Sequence, residues 1–271
     1  MRVMQGVAGL VGALAASPLR VGAIAAASRE AAAVRRALGL RQTRRRLASG
    51  RCWQGKPNVF AVVAVVQAGI GPARAEAAAR EAVGVLRPDA FLSLGFAGAL
   101  RGGIAPGTLL LAERTNLEGQ VGWPADPRFL DAGRAACASA GIVCIAEDLV
   151  TVPSLAAAPQ AKAALGAATG AAAADMEAAA VAAVAAVAGL PFLAAKVIFD
   201  AADEGLHPVL MDVVWPDGSP RLLRAARLAA RDAEVRAALH WASRRSRLAA
   251  RILTRFCRML FPLLGKHEPG C

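Results

Sequence analysis

Three groups of acidic residues stand where a carboxyl group could do chemistry. Asp175-Met176-Glu177 begins an alanine-rich segment with almost no charge, Asp200-Ala-Ala-Asp203 follows a buried apolar run, and Glu30 follows an earlier one. A carboxyl group in an apolar environment has a raised pKa and can donate a proton, or it can bind hydroxyl groups. The structural alternatives are acids at a helix N-terminus or a turn, and for Glu30 a solvated helix acid.

The segments around these acids alternate between strand and helix patterns. A helix that Ser28 caps and that ends at Leu38 follows the first strand. The remaining helices are predicted at 72–86 and 171–188. The predicted strands are 20–27, 59–68, 90–95, 108–112, 142–146 and 192–199. This alternation predicts an α/β layer fold with a largely parallel sheet.

The predicted strand ends carry the residues of chemical interest. In folds of this kind, ligands bind beyond the carboxyl ends of the strands. Glu30, the Gly69–Gly71 loop, the Gly95–Gly98 loop and Asp200 each follow a predicted strand. We therefore expect them to converge on one pocket.

Five motifs occur in an order that resembles the nucleoside phosphorylase and nucleosidase superfamily over about residues 20–205. They are Gly69-Ile-Gly71, Ser93-Leu-Gly-Phe-Ala-Gly-Ala-Leu100, Pro106-Gly107, Ala174-Asp-Met-Glu-Ala-Ala-Ala180 and Val197-Ile-Phe-Asp-Ala-Ala-Asp203. The resemblance implies a single three-layer α/β domain with a mixed, largely parallel central sheet flanked by helices. Residues 123–126, 159–170 and 216–218 look most like the hopanoid-associated branch, which is implied to remove adenine from adenosylhopane.

The resemblance assigns roles to individual residues. Asp200 matches the general acid that protonates the leaving purine, and Glu30 matches the base that activates water. Glu177 matches the acid that binds the ribose hydroxyls and favours an oxocarbenium ion, and Met176 matches the residue beneath the ribose. The glycine motif adds Ala97 and Gly98 to the implied substrate-binding residues.

Several positions depart from the superfamily pattern. Phosphorylases place an Arg and a hydroxyl residue around the glycine motif to hold phosphate, whereas this chain has Ser93 and Phe96 there. Ser93 could still donate a hydrogen bond, but Phe96 offers no donor, and together with Glu30 this favours water as the nucleophile. Phe199 replaces a small hydroxyl residue, and Val150 stands where an aromatic is expected to stack on the base, so adenine specificity rests on the resemblance alone.

Positive charge is concentrated near the C-terminus. The chain has a net charge of +12, but residues 221–258 hold eleven arginines and two acids, while residues 1–220 carry only +3. Arginines and apolar residues alternate at helical spacing; they are Arg247, Arg251, Arg255 and Arg258 beside Leu248, Ile252, Phe256 and Met259. This pattern suits an anionic membrane surface, and its alternative is an ordinary surface helix docked on the domain. Motifs for specific nucleic-acid binding are missing.

Cysteine and histidine usage points away from disulfides and metal. The five cysteines form an odd set without a C-x-x-C pair, and the three histidines show no zinc-ligand spacing. We expect a reducing, cytoplasmic location, with peripheral association at the inner face of the membrane, and no cofactor. Arg2 followed by residues 7–16 resembles a signal peptide, and the competing interpretation is a short extension.

These observations lead to one functional hypothesis with alternatives. Residues 1–18 are predicted as an extension, 19–220 as the nucleosidase-like domain and 221–271 as a basic helical tail. The expected activity is hydrolysis of the N-glycosidic bond of an adenosyl compound, with adenosylhopane favoured. Alternatives are a methylthioadenosine or S-adenosylhomocysteine nucleosidase, a purine nucleoside phosphorylase, or a non-catalytic basic scaffold. Relatives of this kind commonly assemble as homo-oligomers.

Overall fold

The structure, a computed structural model, describes residues 17–43, 47–59, 61–117 and 122–264. The proposed signal-like segment therefore lies outside the described residues. The helices are α1 (Ser28–Leu38), α2 (Pro72–Leu86), α3 (Pro127–Ala140), α4 (Pro159–Thr169), α5 (Ala178–Val187), α6 (Val209–Asp212), α7 (Leu222–Arg231) and α8 (Ala233–Leu264). The strands are β1 (Leu19–Ala25), β2 (Arg41–Gln42), β3 (Arg51–Asn58), β4 (Ala61–Gln67), β5 (Ala90–Ala99), β6 (Leu109–Leu117), β7 (Trp123–Pro124), β8 (Cys144–Thr151), β9 (Ala173–Asp175) and β10 (Phe192–Asp200).

Within the described residues, ten strands form one mixed sheet. Strand β5 pairs with β1, β10 and β9, and β10 continues through β6 and β8 back to β9. This part of the sheet thus closes into a ring, from which β1, β4, β3 and β2 extend. The β1–β4, β1–β5, β5–β10, β6–β8 and β8–β9 pairs are parallel, which places several strand ends at the same edge.

Helices cover both faces of the sheet, which confirms the predicted α/β fold. Residues of α1, α3 and α8 share one hydrophobic core with one face of the sheet, and residues of α2 and α5 share a second core with the other. In α2, Pro72 occupies the first turn, where its missing N–H costs nothing. Buried alanines then recur every three or four residues, and their small side chains let the helix approach the sheet closely; they are Ala75, Ala78, Ala79 and Ala82.

Two predicted helix boundaries are wrong. The segment 171–188 is not one helix, because residues 173–175 form β9 and the helix begins only at Ala178. Pairing with Gly98 of β5 and Val150 of β8 satisfies the backbone of Ala174, and this outweighs the helix propensity of alanine. Ser28 is also not the N-cap of α1. Ala27 holds that position, and its N–H donates to Glu30 Oε2 at 2.7 Å.

The basic C-terminal segment contributes to the core. Helix α8 packs against α1 and α3, and its buried apolar side joins the first hydrophobic core through residues that include Leu253, Phe256, Leu260 and Phe261. Of the apolar stripe that the sequence suggested for a membrane surface, Phe256 is buried and Ile252 is partly buried, whereas Leu248 and Met259 remain exposed. No helix among those described is both long enough and apolar enough to span a membrane.

Candidate functional site

Glu30 lies against the carboxyl end of β5. Its carboxylate accepts hydrogen bonds from the backbone N–H of Ala27 at 2.7 Å and of Phe96 at 2.8 Å. A Cβ at Gly95 would lie 2.5 Å from Glu30 Oε1, so the glycine is what lets the carboxylate approach the strand. Glu30 is buried, which differs from the solvated helix acid that its sequence context allowed.

Asp200, the last residue of β10, lies beside the same strand and is level with the last residue but one of β5. It pairs with Gly98 across the parallel β5–β10 ladder, and its Oδ2 would lie 3.1 Å from a Cβ at Gly98. Glu30 and Asp200 therefore contact the same four-residue glycine motif, one at each glycine. Three of the four features that were predicted to converge, Glu30, the Gly95–Gly98 motif and Asp200, thus meet along β5.

A buried lysine from α4 holds Asp200. Lys162 is only 1% exposed, and its ammonium donates to Asp200 Oδ2, to the carbonyl of Ala201 at 2.7 Å and to the carbonyl of Glu204 at 2.6 Å. Glu204 in turn accepts the Ala201 N–H at 2.8 Å and pairs with Arg245 of α8. Hydrogen bonds and ion pairs thus connect the C-terminal end of β10 to both α4 and α8.

The two acids of the Asp175-Met176-Glu177 motif make different contacts. Asp175 accepts the Ala178 N–H at 2.9 Å and the Thr151 hydroxyl at 2.6 Å, and it pairs with Lys196 at 2.8 Å. Asp175 therefore plays the helix-N-terminal role that the structural interpretation gave to this motif. The carboxylate of Glu177 turns away from its own helix and accepts the Gly71 N–H at 2.9 Å.

Burial and neighbouring charges shift the ionisation of these groups. Burial raises the pKa of Glu30 and of Asp200, although Lys196 opposes the shift at Glu30 and Lys162 opposes it at Asp200. Burial and the nearby Asp175 raise the pKa of Glu177 to about 8. Burial alone would lower the pKa of Lys196, but the surrounding carboxylates outweigh it and raise the value. Carboxyl groups with raised pKa values can hold a proton near neutral pH and donate it.

A cleft opens beside Asp200. Its lining residues are Gly98, Leu100, Val152, Leu155, Ala156, Lys162, Ala174, Asp175, Met176 and Asp200. Met176 and Gly98 are thus placed at the cleft, and Ala97 lies beside Gly98 in β5. Val150 is fully buried and packs with Leu100 and Ala171, whereas its neighbour Val152 reaches the cleft.

The two phenylalanines that depart from the superfamily pattern contact each other. The rings of Phe96 and Phe199 stack with centroids 6.3 Å apart, and Trp241 of α8 meets Phe199 edge-on at 5.4 Å. Ser93 is buried in β5, and its hydroxyl has no hydrogen-bond partner within the described chain. At the two positions that match the phosphate-holding residues of phosphorylases, this chain therefore has one hydroxyl, that of Ser93, and one aromatic ring, that of Phe96.

Lys162, Lys196 and Thr151 are site residues that sequence analysis missed. Lys196 carried a signal, because a lysine inside the apolar run 192–199 is rarely buried without a charged partner. Lys162 and Thr151 stand among ordinary helix and strand residues and carried none. Among the side chains that the structure describes, no group of three or more His, Cys, Asp or Glu could hold a metal ion.

Comparison with known proteins identifies a family and a fold. A family model described as the phosphorylase superfamily matches residues 11–231. No curated protein matches the chain at a significant level.

Solved structures of nucleosidases have a similar fold. The 5′-methylthioadenosine/S-adenosylhomocysteine nucleosidase of Helicobacter pylori aligns with a TM-score of 0.71 at 15% identity, covering 89% of this chain and 97% of that one. The futalosine hydrolase of Helicobacter pylori aligns at 0.70 and 16%, covering 89% and 97%. The S-adenosylhomocysteine nucleosidase of Streptococcus pyogenes aligns at 0.68 and 18%, covering 90% and 98%.

Proposed function

Because this chain belongs to the phosphorylase superfamily, we propose that it is a nucleosidase, which hydrolyses the N-glycosidic bond of an adenosyl compound. One observation carries the proposal. Glu30 and Asp200 are buried against the two glycines of one strand exit, and the buried Glu177 accepts the Gly71 N–H just beyond the exit of β4. A non-catalytic scaffold has no need to bury three carboxyl groups beside neighbouring strand ends.

The proposed reaction separates the two proton transfers. Asp200 donates its proton to a ring nitrogen of the base as the bond between the base and the anomeric carbon breaks. Glu30 takes a proton from the water that forms the new bond to that carbon, so one water is consumed and the base and the free sugar are released. Glu177 binds ribose hydroxyls, and in its ionised form it favours the developing positive charge on the sugar.

The stacked phenylalanines support water over phosphate as the nucleophile. A phosphate dianion needs charged or hydrogen-bonding groups around it, and Phe96 and Phe199 offer neither through their side chains. The Phe96 backbone N–H, which could bind an anion, already donates to Glu30. A carboxylate at that place also repels phosphate while it can accept a proton from water.

Two classes of adenosyl substrate are supported to the same degree. Adenosylhopane follows from the resemblance of residues 123–126, 159–170 and 216–218 to the hopanoid-associated branch. Methylthioadenosine or S-adenosylhomocysteine follows from the fold of the neighbouring nucleosidases. Association with a membrane surface through residues 221–258 accompanies the first substrate, since a hopanoid is carried in a bilayer.

The proposal is tested by incubating the purified protein with adenosylhopane, methylthioadenosine and inosine, each with and without phosphate. Free base and sugar phosphate are measured by chromatography. We expect adenine to be released from at least one adenosyl compound at a rate that does not depend on phosphate.

The other outcomes contradict the proposal in distinct ways. Sugar phosphate that forms only when phosphate is present would make the protein a phosphorylase. If none of the three compounds released its base, the scaffold alternative would replace the enzyme. A parallel incubation without protein sets the level of spontaneous base release.

A further inference from the structure

Helix α7 is amphipathic but has no buried residue. Leu222 and Leu223 are 72% and 78% exposed, and on the preceding segment Met211 and Trp215 are about half exposed. Among the residues that the structure describes, α7 meets protein on one side, where Ala225 and Leu228 pack beside Val235 of α8. Large apolar side chains that cluster on an otherwise solvated surface indicate an interaction site.

The exposed apolar residues are bordered by arginines. Residues 221–231 hold four arginines and no acid. The Arg221 guanidinium lies 4.2 Å from the centre of the Trp215 ring, and Arg224 Nη2 lies 3.8 Å from Asp212 Oδ2. These contacts join α6, the turn that follows it and α7 into one continuous surface. We call Met211, Trp215, Leu222 and Leu223, with the arginines of 221–231, the α7 surface.

The α7 surface borders the edge of the sheet where the strand ends converge. The Ile70 N–H donates to the carbonyl of Pro216 at 2.9 Å, and the Ser28 N–H donates to the carbonyl of Gly218 at 3.0 Å. The turn between α6 and α7 is thereby fixed to the loops that follow β4 and β1. A partner held on the α7 surface would lie on the same side of the molecule as the candidate site.

We propose that the α7 surface docks on an anionic phospholipid bilayer. The exposed leucines would enter the interfacial region, and the arginines would contact lipid phosphates. A second copy of the chain fits less well, because a twofold interface would bring the arginines of both α7 helices together. This assignment narrows the sequence hypothesis for residues 221–258 to α7 and the segment before it, since many apolar residues of α8 belong to the core. It does not depend on the proposed catalysis.

Vesicle sedimentation tests the proposal. The full chain is mixed with vesicles of phosphatidylcholine alone or with one part in three of phosphatidylglycerol. We expect binding to the anionic vesicles that weakens with added salt, and little binding to the neutral ones. Leu222→Ser with Leu223→Ser should reduce binding to anionic vesicles by about tenfold or more.

A matched variant distinguishes binding through the α7 surface from nonspecific binding through any exposed apolar side chain. Val187 is 83% exposed at the end of α5, so Val187→Ser removes an exposed apolar side chain elsewhere and should leave binding unchanged. Equal binding by the double leucine variant, or none by the native chain, would overturn the proposal. Light scattering would also overturn it if the native chain proved to be an oligomer and the double leucine variant a monomer, because the leucines would then form a protein interface.

A different observation carries a second inference, which rests on the proposed function. The buried Lys162 ammonium donates three hydrogen bonds at the C-terminal end of β10, to Asp200 Oδ2 and to the backbone carbonyls of Ala201 and Glu204. With Oδ2 engaged, Asp200 keeps Oδ1 for a substrate. We infer that Lys162 is a positioning residue that orients the carboxyl group of Asp200 toward the substrate.

The pH profile distinguishes this role from a merely structural one. Removing the ammonium raises the pKa of Asp200, because Lys162 opposes the effect of burial. In Lys162→Met and Lys162→Gln, the alkaline limb of the kcat/KM profile should therefore move to higher pH. The maximal kcat should fall more in the Met variant, since glutamine can still donate a hydrogen bond to Asp200.

The possible outcomes distinguish a failure of the positioning role of Lys162 from a failure of the proposed nucleosidase activity. An unmoved alkaline limb in both variants, with thermal unfolding showing that they are folded, would overturn the positioning role. If Asp200→Asn also left turnover unchanged, the proposed function itself would fail. A variant that shifts the limb while Asp203→Asn does not would support the inference.

Discussion

Asp200→Asn is expected to lower base release by about 10²-fold or more, because an amide cannot give a proton to the departing base. Asparagine has the shape of aspartate and can still accept a hydrogen bond from Lys162. The substitution therefore removes the acid while it keeps most of the packing. Initial rates of adenine release at fixed pH measure the effect.

The control for this variant lies three residues further along the chain. Asp203 is exposed, so Asp203→Asn removes the same charge without touching the cleft and should leave kcat within about twofold of the native value. Asp200→Asn also leaves the Lys162 ammonium buried without its carboxylate, which can cost about 3 kcal/mol of folding free energy. Thermal unfolding of this variant and of the Asp200→Asn, Lys162→Met double variant shows whether lost activity is lost structure. A folded Asp200→Asn protein with native turnover would refute the assignment of the acid.

The native enzyme should show a matching dependence on pH. Burial raises the pKa of Asp200, so the proton it donates stays bound to higher pH than on an ordinary aspartate. Activity should fall as pH rises through this pKa, and Asp200→Asn should lose that limb. Burial also raises the pKa of Glu30, so activity should fall on the acid side as Glu30 becomes protonated.

The sequence predicted which strand ends meet better than it predicted the bounds of the elements around them. The ends of apolar runs could be read from glycine and acidic residues, and parallel strands bring such ends together whatever their detailed register. This is why Glu30, Gly95, Gly98 and Asp200 were placed together correctly. Strand β3 was missed, because the polar and basic residues of 51–58 hide its pairing with β4.

Features that depend on tertiary pairing were beyond the sequence. Alanine favours helix, so nothing in 171–177 indicated that Ala174 would pair with two strands. Phe96 and Phe199 were each recognised as departures, but their contact with each other arises only because β5 and β10 are neighbours. The partner of Asp200 was hidden for the same reason, since Lys162 is 38 residues away in the chain.

Gly95→Ala should reduce kcat nearly as strongly as removing the base itself. The added Cβ would lie 2.5 Å from Glu30 Oε1 and 3.2 Å from Oε2, so the carboxylate must move. Movement breaks its hydrogen bond from the Phe96 N–H and withdraws it from the attacking water. We expect kcat to fall by about 10²-fold, the lower end of what a general base contributes, with a smaller change in KM. Glu30→Gln should give a loss of similar size.

Two further glycine variants provide activities with which the loss in Gly95→Ala can be compared. At Gly98 a Cβ would come no closer than 3.1 Å to Asp200 Oδ2, so a shift of a few tenths of an ångström suffices and Gly98→Ala should cost less activity than Gly95→Ala. At Gly84, inside α2, a Cβ meets nothing within 4 Å. Gly84→Ala should therefore keep full activity and raise the free energy of unfolding by about 0.5–1 kcal/mol, because alanine favours a helix. Full activity in Gly95→Ala would mean that Glu30 either does not move or does not act on the water. Glu30→Gln decides between these, because it keeps the side chain in place and removes only its basicity.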